Sequence, residues 1–226
     1  MERRTFLRAS ALSVGGVAMA APVASAANPL RVQVLVFEGV EEQDFAGPVE
    51  VLGIAGRRSN GALTSTLVTP DRPGGITCNF GTRLEVAKGW SPHEADVLVV
   101  PGGGLASREG SAVRRLIEDR RFLRRLADAD LLHVGVCTGS TVLAAAGLTR
   151  GRNATTHTSD KAYLAAQGAN VINARVVDDG DLITGGGVSS GLDVALWLVE
   201  RFLGAQLAQG VETIMEYERR GTVWRA

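Results

Sequence analysis

The chain has 226 residues, 45% hydrophobic and 21% charged, enough for one sizeable domain and few for two. Its 24 basic side chains balance 24 acidic ones, with no basic stripe for nucleic acid and no acidic tail for a partner. The arginines between Arg114 and Arg125 recur at helical spacing and read as the solvated face of a surface helix.

Residues 1–26 differ in kind from the rest. Arg3-Arg4 precede Thr5-Phe6-Leu7, a mildly apolar run follows from Ala9 to Val23, and Ala24-Ser25-Ala26 supplies small residues for cleavage. This is the layout of a twin-arginine (Tat) export signal, and the run is too short and mild for a permanent membrane span. No Cys stands at the cleavage point, so no lipid anchor is expected and the location is periplasmic or secreted. Its removal leaves residues 27–226 as a single domain with a formal charge of about −2, too small to define a partner.

From Leu30 onward, short apolar runs alternate with helical patterns, which predicts a mostly parallel sheet covered by helices. Arg31–Phe37 is a first strand, and Gly47-Pro48 opens a helix through Ala55, with Pro48 in its first turn. Leu63–Thr69 is a second strand; Ile76–Val86 is a hairpin or an excursion around Cys78. Asp96–Val100 is a central strand ended by Pro101-Gly102-Gly103-Gly104, and one helical pattern covers Ser111–Ala127. Leu131–Val136 is another buried strand, leading into a turn at Cys137 and a helix to Ala146. Val171–Val177 and Asp181–Thr184 flank the tight-turn pair Asp179-Gly180 and should pair antiparallel. Helices over Ser190–Leu203 and Ala205–Tyr217 complete one doubly wound α/β domain.

The two cysteines, Cys78 and Cys137, make no disulfide framework, although a bridge between them is open in an oxidising compartment. His93, His133 and His157 lie far apart and no Cys or His pair has ligand spacing, so no metal or other cofactor is expected. In an open parallel sheet, ligands collect at the carboxyl ends of the strands. Three such ends carry unusual residues: Asp44, the glycines 102–104, and Cys137. Gly135-Val136-Cys137-Thr138-Gly139 has the G-x-nucleophile-x-G form of a nucleophile elbow. The N–H groups opening the next helix should lower the thiol pKa of Cys137, while Cys78 should stay ordinary. The glycines 102–104 either form a flexible loop or offer N–H groups, those of Gly103 and Gly104, to an oxyanion. Asp44 is a solvated loop carboxylate, a helix cap or a member of the site, and Thr138 is a helix cap or a member of the site.

Asp44-Phe45-Ala46-Gly47-Pro48-Val49-Glu50-Val51 resembles the D-x-x-G-P-x-E-V segment of the ThiJ/PfpI superfamily, in its isonitrile hydratase-like branch. Val99–Gly104, Val136–Ser140 continuing to Leu148, Gly151–His157 and Thr184–Asp193 agree in order and spacing, so the resemblance spans about residues 30–220. It implies a flavodoxin-like sandwich within the class I glutamine amidotransferase-like fold, commonly a homodimer, with Cys137 as nucleophile and Asp44 and Thr138 functional. Thr138 rather than His follows Cys137, which argues against proteolysis, and His157-Thr158 stands where the family has His-Trp. His157 then either lines the substrate site or supports it from behind.

The reaction this implies is hydration of a small-molecule isonitrile to an N-substituted formamide, with Cys137 as thiolate, Asp44 as acid, and the Gly103, Gly104 and Thr138 N–H groups steadying developing charge. Two other readings stay open. The same fold serves as the sensing half of AraC-type regulators, which would make this chain a periplasmic sensor or redox-responsive protein. Another thiol-dependent activity, such as glyoxal hydration, is the third.

Overall fold

The computed structural model of the protein describes residues 24–226. The twin-arginine motif and apolar run lie outside the described residues. Seven strands form the central sheet: β1 (Leu30–Leu35), β2 (Leu63–Val68), β5 (Val97–Val100), β6 (Leu132–Val136), β9 (Val176–Asp178), β10 (Leu182–Gly185) and β11 (Trp224–Arg225). Their spatial order is β11-β9-β10-β6-β5-β1-β2. All neighbours are parallel except β9 and β10, which pair antiparallel through the Asp179-Gly180 turn. The order β2-β1-β5-β6-β10 is the flavodoxin-like one, and its switch point lies between β1 and β5. Strands β5, β6 and β10 are buried at every residue, as their near-continuous apolar sequences require of a sheet covered on both faces.

The helices gather in two groups. Helix α1 (Glu42–Arg58) packs on α6 (Ser190–Leu203) and α7 (Ala205–Met215). Helices α2 (Ala112–Glu118), α3 (Arg120–Ala127) and α5 (Lys161–Ala166) surround α4 (Gly139–Ala145). Among the described residues, no helix is long and apolar enough to cross a membrane.

Three elements differ from the sequence expectation. Helix α1 starts at Glu42, five residues before Gly47, so Pro48 is interior and lacks the N–H that would bond the Asp44 carbonyl. Its ring packs instead on α6, where a Cβ at Gly191 would lie only 3.0 Å from Pro48 Cδ. The span Ser111–Ala127 is two helices, because Asp119 leaves helical geometry and its carboxylate accepts the Arg121 and Phe122 N–H groups, capping α3. Val171 belongs to β8 (Asn170–Val171), which pairs with β7 (Asn153–Ala154) apart from the main sheet. The excursion around Cys78 is a hairpin of β3 (Gly74–Thr77) and β4 (Arg83–Val86).

Candidate active site

Strand register brings the chemistry together. Val100 of β5 stands beside Gly135 of β6, and Val136 of β6 beside Gly185 of β10. The three strands therefore end side by side, and the loops after β5 and β6 meet α1, which follows β1. Cys137 occupies the turn with φ +55°, a left-handed conformation that few non-glycine residues adopt. Its N–H donates to the Gly185 carbonyl at 3.1 Å, and its own carbonyl accepts from Thr156 Oγ1 at 2.8 Å. Both anchors hold the strained turn from neighbouring segments. The flanking glycines serve close packing, since the positive φ belongs to Cys137 itself. A Cβ at Gly139 would overlap the Val100 carbonyl oxygen, and one at Gly135 would lie 2.7 Å from Ser140 Cα.

Asp44, in the first turn of α1, is fully buried, and Cys137 and Thr138 are only 5% and 2% exposed. Asp44 Oδ2 accepts the Gly102 N–H at 2.8 Å. Its Oδ1 is buried without a hydrogen-bond partner among the described residues, and the carboxyl and the Cys137 thiol act on each other. A Cβ at Gly102 would overlap Thr138 Oγ1 and lie 2.8 Å from Asp44 Oδ2, so only glycine lets this loop approach. Thr138 Oγ1 accepts the Gly103 N–H at 3.3 Å and makes no capping bond to α4. The site is thus a chain of contacts from Asp44 through Gly102 and Gly103 to Thr138 and Cys137.

Burial dominates the electrostatics. It lifts the Asp44 carboxyl to about 8; the Gly102 N–H opposes this and the negative charge of Glu41 adds to it. At neutral pH Asp44 therefore carries a proton. Burial also pushes the Cys137 thiol well above its ordinary range, with the charge of an ionised Asp44 acting the same way. The Thr138 N–H and hydroxyl pull the thiol down by less. The expected resting thiolate is therefore overturned: stabilisation by the turn is outweighed by loss of water around sulfur. Cys78 is not ordinary either, since burial and the charges of Glu42 and Glu38 raise it too. Both cysteines are free.

The remaining expected site residues stand further out. The Gly103 N–H is spent on Thr138, and Gly104, with φ +81°, lines a cleft of about 340 Å³ together with Cys78, Asn79, Arg108 and Arg115. His157 Nδ1 accepts the Ser159 N–H at 3.3 Å, and its ring faces Gly187, so it caps a short 3-10 turn rather than pairing with sulfur. Sequence reasoning missed Glu41 and Thr156, and it singled out Gly103 and Gly104 rather than Gly102 as the N–H donors of the loop. Gly102 was visible as the first glycine after β5, but its contact with Asp44 needs strand order. Among the described residues, no group of three or more His, Cys, Asp or Glu side chains is placed to hold a metal.

A family model for DJ-1/PfpI matches residues 30–201. Isonitrile hydratase of Pseudomonas putida is 35% identical over 192 residues, covering 83% of this chain and 78% of that protein. A Parkinson disease protein 7 homolog of Danio rerio is 29% identical over 196 residues, covering 80% and 94%. Among solved structures, a ThiJ/PfpI family protein from Pseudomonas syringae matches with a TM-score of 0.75 at 28% identity, covering 93% of this chain and 84% of that one.

Proposed function

This chain belongs to the DJ-1/PfpI family, and we propose that within it Cys137 and Asp44 hydrate an isonitrile, R–N≡C, to an N-substituted formamide. The observation that carries this reading is a carboxyl held protonated at neutral pH beside a buried thiol. The terminal carbon of an isonitrile must receive a proton and a nucleophile on the same atom. A neutral acid and a thiol acting on each other supply both. The slender, terminal carbon also suits a sulfur of which so little is exposed. The 35% identity to an isonitrile hydratase supports the same reading.

In the first step Asp44 gives its proton to the terminal carbon while sulfur bonds to that carbon. The thiol proton passes to the Asp44 carboxylate, and the product is a thioimidate, R–N=CH–S–Cys137. Water then adds across C=N, oxygen to carbon and hydrogen to nitrogen. The tetrahedral R–NH–CH(OH)–S–Cys137 expels the thiol as its hydroxyl becomes the formyl carbonyl, and the hydroxyl proton returns to sulfur through Asp44. Thr138 lends its N–H to the sulfur as charge passes through it. No thiolate need exist at rest.

Incubation of the purified protein with cyclohexyl isonitrile, followed by NMR of the formyl proton, tests this. Wild type should turn over, and Cys137→Ser and Asp44→Asn should each lose about 10²–10⁴-fold in rate. Because the proton-bearing Asp44 is the active form, kcat/KM should fall as pH rises through about 8. A wild-type protein that yields no formamide with alkyl and cyclohexyl isonitriles rules the reading out.

A further inference from the structure

Resting on that reading, a role emerges for a residue the reaction scheme does not use. Glu41, directly before α1, is joined to Asp44 by a closed ring of hydrogen bonds. The Glu41 N–H donates to the Gly102 carbonyl at 2.9 Å, the Gly102 N–H donates to Asp44 Oδ2 at 2.8 Å, and the Asp44 N–H donates to the Glu41 carbonyl at 3.2 Å. The side chain of Glu41 is also fixed, because Asn79 Nδ2 donates to its Oε2 at 3.0 Å. Asn79 sits in the tip of the β3–β4 hairpin, which is docked on the same segment. Asn79 N–H donates to the Val40 carbonyl at 2.9 Å, Thr77 N–H to Glu38 Oε2 at 2.8 Å, and Phe80 N–H to Glu42 Oε1 at 2.9 Å. A hairpin remote in sequence thus sets where the Glu41 carboxylate lies relative to Asp44.

We propose that Glu41 is a positioning residue whose carboxylate, held by Asn79, keeps Asp44 in its proton-bearing form. A fixed negative charge near a buried carboxyl disfavours a second negative charge there. The titratable groups acting on Asp44 are Glu41 from its own segment and Cys137 from the elbow. The loop after β5 presents the uncharged Gly102 N–H, and α6 presents Gly191. Glu41 itself is raised by partial burial and by Glu42, and the Asn79 bond works the other way. Its negative charge acts on Asp44 in the direction that raises the Asp44 carboxyl.

Glu41→Gln isolates the charge. The backbone ring does not involve the side chain, and the Gln carbonyl still accepts from Asn79. The protein, labelled with ¹³C at aspartate carboxyls, would be titrated by NMR, with the Asp44 resonance assigned by its loss in Asp44→Asn. Wild type should titrate at about 8, and Glu41→Gln about one pH unit lower. Glu42→Gln, whose carbonyl still accepts the Phe80 N–H and whose lost charge is not among those acting on Asp44, should leave the midpoint in place. An unmoved midpoint in Glu41→Gln, or an equal shift in Glu42→Gln, overturns the proposal. The readout is independent of turnover. A shifted midpoint in a protein that hydrates no isonitrile keeps the role of Glu41 and removes only the substrate.

Discussion

Asp44 shows how one residue can be favourable for chemistry and unfavourable for folding. Its carboxyl ionises near the ordinary value of 3.8 when unfolded and near 8 when folded. The folded chain therefore keeps a proton that the unfolded chain releases between these values. The stability this gives is complete below about pH 4 and is lost as pH rises through about 8. Asp44→Asn has no such proton to lose, so it should be the more stable protein at pH 7, by up to about 4 kcal/mol, while losing turnover. Urea denaturation of both proteins at pH 5 and pH 8 checks this: the gap should widen with pH, and a constant gap would refute it. The same substitution removes the charge that raises Cys137 at alkaline pH. Alkylation of Cys137 above pH 8, followed by peptide mapping, should then be faster in Asp44→Asn than in wild type.

At the scale of elements, the site depends on how closely the loop after β5 approaches α1 and the elbow. Gly102→Ala would drive a methyl group into Thr138 Oγ1 and against Asp44 Oδ2. Neither neighbour can retreat, since both are buried and each is hydrogen-bonded to this loop. The substitution should cost about 1–3 kcal/mol in stability. It should also lower kcat by at least about 100-fold, because it displaces acid and nucleophile together. Wild-type turnover by Gly102→Ala would show that the loop does not order the site. Pro48 acts at the same scale. Its missing N–H leaves the Asp44 carbonyl without a helix bond, and its ring lets α6 pack closely through Gly191.

Across the whole molecule, five separated segments converge on Cys137 and Asp44: those around residues 44, 102, 137, 156 and 185. Burial of the pair removes the water that would otherwise level their proton affinities. We propose that residues 1–26 direct Tat export, and a fusion of residues 1–30 to a reporter folded in the cytoplasm should reach the periplasm. Changing Arg3 and Arg4 to Lys should block it, because the pair is read as an address. Export by the double-lysine fusion would remove the claim.

Much of the architecture was legible in the sequence, because its signals are local. Short apolar runs such as Leu132–Val136 and Leu182–Gly185 suit strands of a sheet covered on both faces, and α6 has the bounds its pattern predicts. The G-x-C-x-G turn was visible for the same reason. What only the tertiary structure decided is non-local. Gly102 lies 58 residues from Asp44 and meets it because β5 pairs with β1. The segment at the start of α1 meets a hairpin some 38 residues away, whose Phe80 N–H donates to the Glu42 carboxylate. The protonation of the site could not be read from neighbours in sequence. A helix start after Cys137 favours a thiolate, but the loss of solvent around sulfur depends on every segment packed over it and outweighs that effect.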